Sequence, residues 1–388
     1  MQPAVSRISS IDLFRYLTVS FALFSHTLLF LKSDAFSGGD VILGLKSITR
    51  TATPALMILF GVMAEIVYLR RYRSDPDRAA QGMISRAIIC YICYVALVVL
   101  ALVFGHVRGG QAIRATLLVA PSPYANIFKI YTFLLPITLL LVQLRARTGL
   151  LGPWVVVAGI WLLDWIVLDH LPAPPVFAHF AGFLFGIGTS WGPSILHSLT
   201  LVVMGMTLGA AFFSPSRLTE KAEMHAARLW LGMATGLSLL LLGTKLGWFG
   251  LHGVLLRIAD ITQWRGDNDI GYYAYGLLSA LGLLFLARSI CIIAPQWVVT
   301  PLARIGGATL AYFFIGNALL LILPSLDWLP FWGKASFTVA FLVFCGGATL
   351  IWDQLRKAFP VLQTPVRVAQ QMTGLLLGHR KSRTLSNP

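Results

Sequence analysis

Residues 87–104 read AIICYICYVALVVLALVF, eighteen positions without a charged group. As a helix at about 1.5 Å per residue, that stretch is about 27 Å long, close to the thickness of a bilayer's hydrocarbon core. Inside lipid no water is present to bond the backbone, so a crossing segment either pairs its own amides as a helix or joins a closed barrel. A barrel strand shows apolar and polar residues alternating over about 10 positions, and this stretch shows no alternation. Working outward, similar runs recur at 11–31, 50–69, 84–104, 127–145, 153–169, 195–213, 228–248, 271–293, 304–323 and 333–352. The composition agrees, with 57% apolar and 12% charged residues, where a soluble domain carries about 25% charged. The chain is therefore predicted to be all-α, a polytopic integral membrane protein of about ten transmembrane helices, with the lipid bilayer as its first partner. Residues 1–355 read as a single membrane domain and 356–388 as a basic, poorly ordered cytoplasmic tail. The Pro- and Gly-rich stretch 173–190 reads as re-entrant or interfacial, or as an eleventh span. The first run is too long for a signal-peptide core and contains Asp12 and Arg15, so it is expected to stay on the chain.

A net charge of +15 raises the question of nucleic acid. No soluble basic domain carries that charge, so no nucleic-acid partner is expected. The basic residues lie between the apolar runs, where orientation bias puts them. Of the 30 Lys and Arg, 19 fall on the side that holds Arg7, the even-numbered loops and the tail, and 10 on the other; Arg15 lies within the first run. That excess predicts both termini in the cytoplasm and a place in the inner, cytoplasmic membrane. Cys90 and Cys93 form a CxxC within an apolar run. With no second pair and no neighbouring His, they read as small packing residues, and no metal site is expected.

Ionisable groups inside a membrane bundle are costly, so each is a functional candidate. The first run, IDLFRYLTVSFALFSH, holds Asp12, Arg15 and His26. Eleven residues at 100° each return to within about 20° of the starting face, so Arg15 and His26 share a stripe, about 16 Å apart along the axis. Asp12 lies about 40° to the other side. The second run returns antiparallel, which sets Arg50, Thr51 and Thr53 near the depth of His26 and Glu65 near Arg15. An Arg15–Glu65 pair is expected. Plainer roles stand beside these. His26 serves equally as a helix-to-helix hydrogen bond, Arg15 as a snorkelling cation, and Asp12 as its i,i+3 partner or a helix-start acid. Asp164 and Asp169 in WLLDWIVLDH read as solvated helix-end groups, and His179 and His197 as interfacial packing or cavity-facing groups. In 249–271, FGLHGVLLRIADITQWRGDNDIG, Trp264 offers a stacking face and Asp267 an acceptor for sugar hydroxyls; an ordinary interfacial loop with a Trp anchor fits as well.

Arg7-Ile8, Asp12, Leu13, Arg15 and His26 resemble the opening motif of the acyltransferase-3 superfamily of membrane acyltransferases, an Arg and a His separated by ten residues. RTATPALMILFG at 50–61 is similar to that superfamily's second-span pattern, with Phe60 where the pattern has Ser. SRAIICYICYVAL at 85–97, KIYTFLLP at 129–136 and LARIGGATLAYFFIG at 302–316 resemble most the branch that includes the periplasmic-glucan succinyltransferases. Thr309 replaces a Ser there, and Tyr16 stands where the superfamily has Gly. The resemblance covers the first four and last three spans. It implies transfer of an acyl group, acetyl or succinyl, from cytoplasmic acyl-CoA to a hydroxyl of a cell-envelope glycan or lipid-linked sugar, with no bound cofactor. It points to His26, Arg15 and Asp12 as catalytic and brings in Arg50; Glu65, by its depth and equally as a charge partner, and Trp264 and Asp267, by their chemistry, are expected toward the substrates. A neutral His suits proton abstraction or acyl carriage near neutral pH, and Arg15 suits donor phosphates or an oxyanion. The rival readings are a transporter using the Asp12–Arg15–His26 stripe as a proton or substrate path, and a non-catalytic relative. The chain shows no paired broken helices in matching halves, which speaks against the transporter.

Overall fold

The computed structural model describes residues 9–32, 40–172, 177–188, 192–213, 218–359 and 368–373. All regular elements among them are helices. In chain order they are α1 (Ser9–Phe30), α2 (Asp40–Thr49), α3 (Ala52–Met63), which passes through a π-helical turn (Ala64–Leu69) into α4 (Arg70–Ser74), α5 (Pro76–Val103), α6 (Gly109–Thr116), α7 (Asn126–Thr148) and α8 (Leu151–Ile166). There follow α9 (Ala178–Phe185), α10 (Ile195–Phe212), α11 (Leu218–Ala259), α12 (Ile270–Ile293), α13 (Gln296–Gly307), α14 (Thr309–Ile322) and α15 (Phe331–Ala358). Nine segments among the described residues are long and apolar enough to cross a membrane, and α13 with α14, bent by 80°, makes a broken tenth.

Side-chain pairs fix the directions. Ser20 Oγ lies 3.1 Å from Tyr312 Oη, and His26 Nδ1 2.6 Å from Asn317 Oδ1, so α14 runs parallel to α1. Lys334 Nζ donates to Leu31 O at 2.7 Å, while Asp353 lines a cleft with Asp12 and Arg15, so α15 runs back. The start of α1 and the end of α15 therefore share one end of the bundle, here the Arg15 end; the opposite one is the His26 end.

Local chemistry sets several helix starts. Asp75 accepts from Arg78 N at 2.9 Å with Pro76 at the first position of α5, Ser194 accepts from His197 N at 3.1 Å ahead of α10, and Asp269 accepts from Gly271 N at 2.7 Å ahead of α12. The centre is the crossing of α3 and α10, both buried on nearly every side. A Cβ on Gly61 would stand 2.0 Å from Val202 O, and one on Gly205 2.0 Å from Ile58 O, so only glycine lets the two backbones meet. Indole N–H groups tie α8 to α10, Trp154 to Thr207 and Trp161 to Thr200, each at 3.1 Å. The outer helices α8 and α11 turn Trp165, Leu237 and Leu240 outward, as a lipid-facing surface requires.

The apolar runs coincide with these helices, with two differences. The run 304–323 is broken rather than straight. Gly306 and Gly307 favour a helix poorly, and Ala308 leaves the helical region at φ −107°, ψ 32°. The run 228–248 lies inside a helix extending over 218–259, kinked at Gly250 (φ 65°). Its added first turns, LTEKAEMHAA, consist mostly of good helix formers, and helix ends follow caps rather than hydropathy. Within 173–190, α9 has eight residues, about 12 Å, too short to cross; residues 173–176 and 189–190 lie outside the described ones, as do Arg7 and most of the tail. In the tail, 368–373 is helical with Ala369 and Thr373 buried, against the expectation of poor order. Cys90 packs in the apolar core, and all four cysteines are free thiols.

Candidate functional site

His26 occupies the last part of α1, its ring tilted against Tyr124 and Phe313 at 5.2 and 5.7 Å between centroids. Its tautomer follows from its neighbour. Asn317 Nδ2 donates to Phe313 O at 2.7 Å, which turns Asn317 Oδ1, an acceptor, toward His26. His26 Nδ1 must then carry the proton, and Nε2 keeps the lone pair. A base held by an orienting group is the arrangement proton abstraction needs.

Arg50 closes one side of this end. Its Nη1 donates to Ser25 Oγ at 3.3 Å, next in sequence to His26, and its Nε to Ala259 O at 3.0 Å. The expected hydroxyl neighbours are engaged elsewhere: Thr51 Oγ1 pairs with Tyr275 Oη at 2.7 Å, which donates onward to Ser47 O at 2.6 Å. The turn after Ala259 adds Arg265, whose charge acts on both His26 and Arg50. In that turn burial works against the charge of Asp260, but the Thr262 amide and hydroxyl and the Gln263 amide outweigh it and hold the carboxyl below its usual range. Asp267 is exposed, its carboxyl pushed up by desolvation and by Asp269 and Asp260. Trp264 corrects an expectation. It is buried, with Lys245 5.6 Å from its ring centroid and Gly271 packed on it, so it has no free face for a sugar. Anchoring the turn satisfies its apolar ring better than exposure does.

Asp12 and Arg15 share the α1 stripe with His26 but not its surroundings. Arg15 Nη1 donates to Asp12 Oδ1 at 3.2 Å, and both open on a cleft of about 460 Å³ lined also by Arg304, Asp353, Arg356 and Lys357. Glu65 does not pair with Arg15. Its carboxylate takes a two-pronged bond from Arg145, at 2.7 and 3.2 Å, and Arg145 reaches Glu223 at 3.1 Å. The π-helical turn carries Glu65 toward α7, and Arg145, in the last turn of α7, is buried there. Tyr16 and Phe60 are packed: Tyr16 stacks on Tyr312 at 5.9 Å, and Phe60 meets Tyr131 edge-on at 5.5 Å.

Two further clusters occupy the His26 end. Lys129 Nζ lies 3.2 Å from His179 Nε2 and 4.2 Å from the Phe183 ring centroid. Burial, then Lys129 and Arg114, push His179 down to about 4. Ser194 Oγ lies 2.7 Å from His197 Nδ1, and His197 Nε2 3.0 Å from Asp164 Oδ1. The composition is that of a hydrolytic triad, but Ser194 and His197 are fully buried, Ser194 Oγ caps α10, and the ring is reversed relative to a triad's. Asp164, expected as a solvated end group, is half-buried beside this ring, though His197 Nε2 makes no hydrogen bond among the described residues. No group of three or more His, Cys, Asp or Glu among the described residues can hold a metal.

The structure thus brings His26 together with Arg50 and separates them from Asp12, Arg15 and Glu65. Asn317, Lys129 and Arg145 carry these sites and were not singled out by sequence; only the last two, as charges in or beside apolar runs, left a signal, while Arg265 belongs to the loop 249–271 read from the sequence. Neither the known family models, nor curated proteins, nor solved structures give a match to this chain.

Proposed function

We propose that the chain is an inner-membrane O-acyltransferase with both termini cytoplasmic, moving an acetyl or succinyl group from acyl-CoA to a hydroxyl of an envelope glycan or lipid-linked sugar. The observation that carries this reading is the His26 site: an imidazole whose tautomer is held by Asn317, with Nε2 as its basic nitrogen and with Arg50 bonded to Ser25, one residue away along α1. In the step itself, His26 Nε2 takes the acceptor hydroxyl's proton as its oxygen attacks the thioester carbonyl. Arg50 and Ser25 lie where the oxyanion develops. The C–S bond breaks, and the leaving thiolate takes the proton back from His26.

The cleft at the Arg15 end supports the donor side. Arg15, Arg304, Arg356 and Lys357 outnumber Asp12 and Asp353, and such an excess suits the phosphates of CoA. From Arg15 to His26 is about 16 Å along α1, a length for the donor's extended arm.

The test uses the purified chain in lipid nanodiscs with labelled acetyl-CoA and succinyl-CoA. Wild type is expected to consume thioester in the presence of an envelope glycan extract. His26→Gln keeps a hydrogen bond to Asn317 but cannot take a proton, and is expected to lose about 10²–10⁴-fold. Near-normal transfer by His26→Gln would refute the base, and a wild type that consumes no thioester would leave the transporter reading.

A further inference from the structure

At the His26 end the acids are engaged away from Arg265 and Lys129: Asp269 pairs with Lys245, and Asp164 lies against His197. Arg50 spends its Nε on Ala259 O and Nη1 on Ser25, neither of them charged. Arg265 Nε is buried with no hydrogen-bond partner among the described residues. Gly192 stands between Arg265 and Lys129: a Cβ there would meet Arg265 Nη2 at 3.4 Å, and the same glycine lines a small cavity with Lys129, His179 and Asn126. Lys129 itself is buried and bonds a histidine rather than a carboxylate. The carboxylate that acts on Arg50, Asp260, has its oxygens taken by Thr262 and Gln263. Asn268, whose Oδ1 accepts from Ser194 N and Tyr273, leaves its buried Nδ2 without a hydrogen-bond partner among the described residues.

Arg50 and Arg265 repel one another, Lys129 stands across Gly192 from Arg265, and each cation is costly in a low-dielectric bundle unless an anion joins them. A single carboxylate leaves most of that charge uncovered. A phosphate brings about −1.5 to −2 and three acceptor oxygens, and guanidinium forks bind it two bonds at a time. We propose that Arg50, Arg265 and Lys129 form a seat for a phosphate or diphosphate group, and that the acceptor brings this group to His26. The seat follows from the geometry alone. Its assignment to the acceptor rests on the acyl-transfer reading and narrows the acceptor to a phosphorylated one, such as a sugar on a lipid diphosphate.

The full chain in detergent micelles provides the test, melted with inorganic pyrophosphate, polyprenyl diphosphate or phosphatidylglycerol, against sodium chloride at equal ionic strength. Wild type is expected to melt higher with pyrophosphate and with polyprenyl diphosphate, saturably. Arg265→Gln is expected to melt no lower than wild type without ligand, since it relieves repulsion, and to lose the pyrophosphate shift. If Arg265→Gln elutes aggregated, Arg265→Lys is read instead, and a half-saturating concentration at least tenfold higher is expected. Absence of the shift in wild type, or its survival unchanged in the Arg265 variant, would overturn the seat. A shift given equally by phosphatidylglycerol makes the anion a bilayer headgroup and overturns the acceptor assignment. His26→Gln is expected to keep the pyrophosphate shift, so a failed transfer assay and a failed anion seat are told apart.

Discussion

Single residues decide most at the two charged positions that the first and second spans share in depth. Glu65 is buried, and Arg145 is its main partner, with Glu223 half-exposed beyond. Removing one partner of a buried pair leaves the other charge uncompensated, at about 3–5 kcal/mol. Glu65→Gln is therefore expected to give a large drop in the melting temperature of the detergent-solubilised chain, and Glu223→Gln a much smaller one, because water screens Glu223. Equal drops would mean that Arg145 is held from the Glu223 side. The same residues show where sequence reading stops. Periodicity on α1 correctly put Arg15 and His26 on one stripe, since both are fixed by one helix. It offered no means of choosing between Arg15 and Arg145 as the partner of Glu65, because that choice depends on a π-helical turn that rotates Glu65 by part of a turn. Asn317 was equally out of reach: an amide in LAYFFIGNALL gives no charge signal, and only the parallel course of α14 brings it to His26.

Elements were legible where their physics is local. Apolar length alone locates the spans, while the starts set by the caps Asp75, Ser194 and Asp269 were not read from the sequence, and α5 begins eight residues before its apolar run. Contacts between elements were not legible, since the glycines that permit them look like any others in the sequence. Gly205 and Gly232 illustrate the difference. A methyl on Gly205 runs into the carbonyl of Ile58, and backbone cannot swing aside as a side chain can, whereas a methyl on Gly232 meets nothing within 4 Å. Gly205→Ala is expected to abolish monodisperse elution in mild detergent, while Gly232→Ala is neutral or slightly stabilising, as alanine's helix preference of about 0.8–1.0 kcal/mol over glycine implies. If both variants elute and melt like wild type, α3 and α10 do not cross at this point.

For the molecule as a whole, the question is which end faces which compartment. On the proposed topology, which follows the basic excess, the Arg15 end faces the cytoplasm. In a background with Cys90, Cys93, Cys291 and Cys345 replaced, a cysteine at exposed Ser74 is expected to react with an impermeant thiol reagent only in inverted vesicles, and one at exposed Ser325 only in intact cells with a permeable outer layer. The reverse pattern would put His26 in the cytoplasmic half and remove any envelope acceptor. The break between α13 and α14 has a mechanical meaning in this frame. Arg304 on α13 lines the cleft at one mouth, and Asn317 on α14 steers His26 at the other. They are joined by an 80° elbow at Ala308 with no loop to take up slack, so the pair is a crank. On the proposed function, a polyanion that draws Arg304 inward is expected to turn the far arm and shift the imidazole it holds, so that filling one mouth sets the stroke at the other. Spin labels on exposed Trp297 of α13 and exposed Leu229 of α11 read this swing directly; a separation that CoA leaves unaltered would make the elbow a rigid bracket.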